Sequence, residues 1–494
     1  MAAPARFLND NIEIAEANII SSDGSTIDVR YLITDFLSRE DIYTHCIAGT
    51  LMLIDGIGLI DKLPIVGEEF FTIRFRTPEL GNVYVNKSYA IYGIRNRKKV
   101  DDKLESYILD LMSLEGMINT MTLVDNNYVG LTYDEISKKI FNNYILESNL
   151  KGGIGNNIRY MDIPKIKKKI IDIDKSSGIQ ALTTIGDNPF TVIQKCADLA
   201  QSEDYPDSDF VFYEDRDGFN FVAISSLIEQ EPVSDKIGSY VMGDHGVDES
   251  RTSKNKKFRF DTVSQFEFNE SPDTIKSSST GMYGNKIQAF DPILKKRTSI
   301  VNNYHEIQSN PKIPSFKTLD KNNILSDRSL HKNDNGTSHT QYYVSNIFDK
   351  NYEEVEYMKN RIAQNTDRHL FHHDNSYKSR GRTAMKLSLL NNYTLTIAVG
   401  GNSNLKAGVV INLVIPLSSD LEEDKIEPHS HLFGNKKSNK FLVTAVTHNF
   451  LGTAGRYFTY LTLAKDSYFN DINKSYKGKM LNDTSFGSGL GGLT

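Results

Sequence analysis

Three histidines and an acid fall within one short stretch, His369-Leu-Phe-His372-His373-Asp374, and His429-Ser-His431 adds two more imidazoles. Imidazole nitrogens and a carboxylate are the donors that bind zinc and related ions, and on a helix His369 would share a face with His372 or His373. The stretch has no helix cap and sits among polar residues, so exposed loop histidines are the expected state. Paired carboxylates occur at Glu68-Glu69, Asp101-Asp102 and Glu422-Glu423. Glycoside hydrolysis needs two carboxyls facing each other across a cleft. Neighbours on a strand point to opposite faces, so solvated turns account for these pairs better. Asp215-Arg-Asp217-Gly218 has part of a calcium-loop pattern, but Tyr213 and Ile224 stand at its first and twelfth positions, where carboxylates are needed. It is expected to be a hairpin turn. Gly56-Ile-Gly58 and Gly153-Ile-Gly155 are too short for a dinucleotide fingerprint, with Asp61 and Ile158 in place of the third glycine. There is no phosphate-binding loop, nucleophile elbow or His-Glu-x-x-His helix. His448 lies in the alternating run Val443–His448 and is expected to be a hydrogen-bonded sheet residue. No catalytic, cofactor-binding or metal residue is assigned, and no cofactor is expected.

The elements around these residues are mainly β. Leu63-Pro-Ile-Val-Gly-Glu-Glu69 forms a turn that feeds Phe70–Phe75, where Phe71, Ile73 and Phe75 alternate with polar residues. Tyr89–Arg97 and Ser106–Leu114 repeat the period of two, predicting an antiparallel β domain that ends near Asp125. Thr132-Tyr-Asp-Glu135 is a capping box leading a helix with Ile136, Ile140 and Tyr144 on one face. Asn188-Pro-Phe190 starts a second helix, with Phe190, Ile193, Cys196, Ala197 and Ala200 inward. Strands at Phe210–Tyr213 and Phe219–Ile224 flank the Asp217-Gly218 turn. From 311 to 384, Asn, Asp, Lys, Ser and His dominate, predicting a polar insertion with a helix around Tyr352–Ala363. The β signal returns at Val409–Ile415, a strand buried on both faces, and in a hairpin of Phe441–Phe450 with Arg456–Lys465. The residues after Phe486 read as a flexible tail.

The chain of 494 residues is long enough for two to four domains. Net charge is −6, and the basic patches Arg95–Lys99, Lys165–Lys169 and Lys254–Arg259 are short. Duplex nucleic acid is held by larger clusters of Lys and Arg, so these patches are expected to be solvated loops and lysine-protected edge strands. Only Cys46 and Cys196 occur, which predicts a reducing compartment and no disulfide framework. No apolar run is long enough for a membrane helix, and Met1-Ala-Ala-Pro-Ala-Arg6 has no signal-peptide character. There are 25 Tyr, 25 Phe and no Trp, a usage that suits half-buried sheet surfaces.

Several stretches together resemble the central baseplate hub proteins of contractile-tailed bacteriophages, whose fold is shared with the N-terminal part of type VI secretion spike proteins. They are Leu63–Phe75, Tyr107–Glu115, Asn188–Ile193, Gly281–Pro292, Lys440–His448 and Tyr460–Asp466. Their order and spacing cover residues 50–470. The insertion at 311–384 and the lack of a following lysozyme-like module depart from the pattern. The resemblance implies a structural protein and not an enzyme, with two tube-like antiparallel β-barrels, a mixed α/β domain and a polar insertion. It implies a homotrimer in the virion tail baseplate, assembled in the bacterial host cytoplasm. There it would adapt the six-fold tail tube to a three-fold cell-puncturing spike. The implied partners are the trimeric spike, a hexameric tail-tube or tube-initiator protein and other baseplate proteins. DNA would pass through the lumen without specific binding.

On this frame the expected domains are a first barrel at 1–125, a mixed α/β domain at 126–235, joining strands at 236–310, the insertion at 311–384, a second barrel at 385–475 and a tail at 476–494. One internal pattern supports the duplication: a Gly-led strand, a middle strand and an acid-ended strand recur at 67–76, 88–97 and 106–115, and again at 408–415, 440–450 and 456–466. The competing readings are a tail-associated hydrolase of peptidoglycan or surface polysaccharide, and a receptor- or carbohydrate-binding tail protein.

Overall fold

Alternating apolar residues build most of the described residues into strands, and the buried alternate positions decide which strands meet. The computed structural model describes residues 12–146, 171–233, 240–242, 262–303, 340–344, 376–414 and 440–465, apart from a few positions inside these ranges. The first region holds β1 (Glu13–Ile20), β2 (Thr26–Asp28), β3 (Ile33–Asp41), β4 (Ala48–Asp55), the short α1 (Leu59–Lys62), β5 (Phe70–Arg76), β6 (Val85–Asp101) and β7 (Leu104–Ser113). Phe71, Ile73 and Phe75 of β5 are buried as the period of two predicts. The strand expected to reach Leu114 stops one residue short. There Ser113 caps α2 (Leu114–Met121), its hydroxyl accepting the Gly116 N–H at 3.3 Å.

The middle region holds β8 (Val124–Leu131), α3 (Tyr133–Ile140), β9 (Ile171–Ile173), β10 (Gln180–Asp187), α4 (Pro189–Leu199), β11 (Phe210–Glu214), β12 (Phe219–Ala223) and α5 (Ile224–Glu229). At the start of α3 the Glu135 carboxylate accepts the Thr132 N–H at 3.1 Å. The cap of α4 departs from expectation. Asn188 donates its side chain to the Asn119 and Thr122 carbonyls, while the Asn119 side chain accepts the Phe190 N–H at 2.7 Å. The end of α2 thereby holds the start of α4. Phe190, Ile193, Cys196, Ala197 and Ala200 are all buried, packed with Phe212, Phe219 and Phe221. Ile224, expected at the end of a strand, opens α5.

The last region holds β13 (Tyr240–Met242), β14 (Thr262–Glu270), α6 (Thr274–Ser279), β15 (Gly284–Asp291), β16 (Lys296–Asn303), β17 (Thr340–Val344), α7 (Ser376–Leu390), β18 (Thr394–Gly400), β19 (Val410–Val414), β20 (Lys440–Leu451) and β21 (Arg456–Ala464). Of the strands expected within 236–310, β13 and β14 join the main sheet. β15 and β16 instead form a separate sheet with β17, which pairs parallel to β15. α7 runs across residue 384 and buries Met385, Leu389 and Leu390 in its last turns. The helix expected around Tyr352–Ala363 and the tail at 476–494 lie outside the described residues.

Thirteen strands make the main sheet, in the order β19-β13-β14-β18-β21-β20-β3-β4-β7-β6-β5-β1-β2, and β19 also pairs with β20. The six strands β13, β14, β18, β21, β20 and β19 therefore pair in a ring. Two cores lie along this sheet. One gathers Phe36, Leu51, Phe71, Phe75, Tyr89, Tyr107 and Leu109, and the other Ile397, Val399, Ile411, Phe441, Val443 and Leu461. The chain is mainly β with α/β parts.

Candidate assembly interface

Two halves of the main sheet repeat one plan, and a junction joins them. In the first half the sheet order is β3-β4-β7-β6-β5-β1; in the second it is β14-β18-β21-β20-β19-β13. Taken in chain order, the strands correspond one to one. Two of the irregularities correspond as well. The β6–β7 pairing slips between Ile91 and Gly93, and β20–β21 slips between Val443 and Ala445. The β3–β4 pairing slips between Ile33 and Asp35, and β14–β18 between Val263 and Gln265. Bulges bend a strand and set its local twist, so both halves bend at these two places. They differ at the last strand: β1 runs antiparallel to β5, while β13 runs parallel to β19.

The junction is β20 against β3. Beyond the three residues that pair with β19, β20 pairs antiparallel with β3 from Ala445 opposite Asp41 to Leu451 opposite Asp35. Alternation along β3 buries Phe36, Ser38 and Glu40 on one face. Phe36 stacks on Phe450 at 5.2 Å between ring centroids, and Phe450 meets Phe75 at 4.8 Å and Tyr457 at 4.5 Å. Phe450 and Tyr457 belong to the second half by sequence, yet they fill the core of the first. Polar groups sit behind this aromatic cluster. Lys87 of β6 pairs with Glu40 at 2.7 Å, both buried, and the other Glu40 oxygen accepts the Ala407 N–H at 3.3 Å. Ser38 and Tyr89 hydroxyls share a hydrogen bond of 2.8 Å. His448, fully buried, is bonded through Nδ1 to the Tyr457 hydroxyl at 2.8 Å. Burial, then the charges of Lys87 and Arg216, hold its imidazole well below the ordinary pKa.

The middle region is fastened to both halves by ions. Glu214 accepts the Ile47 N–H of the first half at 2.8 Å. Lys406 reaches Asp215 and Asp217, each at 3.0 Å, and Arg216 donates to the Ser403 carbonyl at 2.8 Å. Burial opposes the charge on Lys406, but the two carboxylates outweigh it and raise its pKa. Lys386 of α7 pairs with Asp209 at 2.8 Å, both buried. Gly408 takes φ +83°, and a Cβ there would collide with the Tyr213 hydroxyl.

The residues singled out for chemistry are dispersed. Glu69 is buried and accepts the Val66 and Gly67 N–H groups, closing the turn before β5. Glu68 is exposed, and Asp101-Asp102 lies at the β6–β7 hairpin turn. Asp215 accepts the Asp217 and Gly218 N–H groups, as a hairpin turn requires. Neither cysteine is in a disulfide: Cys196 is buried, its thiol pushed up to about 12 by that burial, and Cys46 is half-buried in the first half. His369, His372, His373, His429, His431 and Glu422-Glu423 lie outside the described residues. Among the described residues no group of His, Cys, Asp and Glu is placed to hold a metal ion.

No family model matches the chain. It is 23% identical over 459 residues to the "Probable baseplate hub protein gp334" of Vibrio phage KVP40, a match covering 90% of this chain and 93% of that protein. The resemblance read from the sequence is thus met by a relative that spans nearly the whole of both chains. Two solved structures are also similar. The tail protein from Neisseria meningitidis MC58 is 10% identical with a TM-score of 0.49, over 91% of this chain and 96% of that one. The 43 kDa tail protein of prophage MuSo2 from Shewanella oneidensis is 9% identical with a TM-score of 0.49, over 92% and 99%.

Proposed function

We propose that this chain is a structural hub of a phage tail baseplate, working as a homotrimer that adapts a six-fold tail tube to a three-fold spike. The observation that carries the reading is the repeated plan within one chain, down to two bulges at matching positions. A six-fold ring presents six equivalent surfaces, and three chains meet all six when each offers two similar units. Each unit is a tube-like β-barrel in this reading, so that closure removes strand edges. The relative named as a probable baseplate hub supports the same role. One face of the ring takes the trimeric spike, the other the hexameric tube or its initiator, and other baseplate proteins dock on the middle region. DNA passes through the lumen, whose wall is neutral or acidic because a basic wall would hold phosphates. The work is positioning, with no bond made or broken. Native mass spectrometry of the chain alone and with its spike protein tests this. The expected result is a three-chain assembly showing six similar β units about one axis in electron micrographs. Persistent monomers with the spike present, or cleavage of peptidoglycan lost on one Asp or Glu substitution, would overturn it.

A further inference from the structure

The β20–β3 junction leaves two matching edges at the ends of the repeat. β6 is the counterpart of β20, and its first residues pair with β5 as those of β20 pair with β19. Past Ala90, however, no strand among the described residues pairs with β6 on that side, whereas β20 goes on to take β3. β14 is the counterpart of β3. On the side where β3 takes β20, β14 takes β13 alone among the described residues, at Thr262 and Val263. The β6–β7 hairpin projects with Tyr92, Ile94 and Val100 exposed. In β20–β21 the matching hairpin is covered, its Phe450 and Tyr457 sunk in the other unit's core.

The two edges also differ in charge. The β6 edge carries Lys98 and Lys99, beside Arg95 and Arg97, which pair with Asp110 and Glu105 of β7; β14 carries Glu267. Lysines and a bulge protect an edge against chance pairing, but an acidic edge of matching register is a specific partner for them.

We propose that copies of this chain join by strand addition, the β6 edge of one copy taking the Ser264–Glu267 edge of β14 in a second copy. The seam repeats the junction already made inside each chain. The register follows from the matching bulges. Gly93–Arg95 take the place of Ala445–Thr447. β6 then carries one extra residue at Asn96, whose φ is +55°, after which Lys98 pairs with Ser106 as Asn449 pairs with Phe458. Asn449 faces Leu37 in the internal junction, and Glu267 is the counterpart of Leu37. Lys98 of one copy therefore faces Glu267 of the next, with Lys99 beside Phe266. Heads and tails differ, so the contact continues from copy to copy until the ring closes.

The inference rests on the trimeric reading, and the test separates the two. The full chain carrying Lys98→Cys and Glu267→Cys is oxidised and run without reductant, beside each single variant and the unaltered chain. Facing residues of an antiparallel pair lie within disulfide reach, so the double variant yields covalent dimers and trimers that the controls do not. In parallel, Glu267→Lys weakens self-association by about tenfold or more, and adding Lys98→Glu restores it. Three-chain particles that neither cross-link at this pair nor respond to the charge reversals overturn the seam and leave the hub standing. A chain that stays monomeric and uncross-linked at every concentration, with and without the spike, overturns both.

Discussion

His448 is the residue at which burial has the clearest consequence. Its imidazole is neutral in the folded chain because burial and the charges of Lys87 and Arg216 push its pKa well below the ordinary value. In the unfolded chain it titrates near 6.5. Above that pH neither state is protonated there and the stability contribution is complete. As pH falls below about 6.5 the unfolded chain gains a proton that the folded one refuses, costing about 1.4 kcal/mol per pH unit at full slope. Urea midpoints measured from pH 7 to 5 should fall in the unaltered chain and flatten in His448→Gln. The neighbouring Lys87–Glu40 pair gives a second expectation. Lys87→Met leaves Glu40 buried without its cation and should cost about 3–5 kcal/mol in urea unfolding, most of it recovered when Glu40→Gln is added.

At the scale of elements, local pattern carried far. Period-two alternation marked β5, β6, β7, β20 and β21, and the capping box and Pro189 marked where α3 and α4 begin. β18 also alternates, with Leu395, Ile397 and Val399 inward, but it follows the end of α7 across a short turn at Asn391 and its seven residues give only a brief signal. The junction was illegible for a different reason. Nothing in Asp35–Asp41 names a partner at Ala445–Leu451, since strand pairing across such a separation depends on the whole fold. Only the buried face of β20, with Phe450 among core residues of the first half, shows how much rests on it. Phe450→Ala should therefore destabilise the chain by about 3–5 kcal/mol. Thermal unfolding would show the loss in the first half as well as the second, and a change confined to the second half would contradict the shared core.

At the scale of the whole molecule, one chain supplies two like units, and the β3–β20 pairing joins them. The β3–β20 pairing has a further consequence, one of timing. β3 lies near the start of the chain and its partner about 400 residues later, so this contact is among the last that synthesis permits. While the ribosome makes the intervening residues, the edge of β3 waits without its intramolecular strand, and Phe36 without Phe450. A chain released early lacks that strand, and its first half presents an unfinished edge where a complete copy presents a sealed junction. The place where the two halves meet thus distinguishes finished chains from truncated ones before any of them is built into a particle.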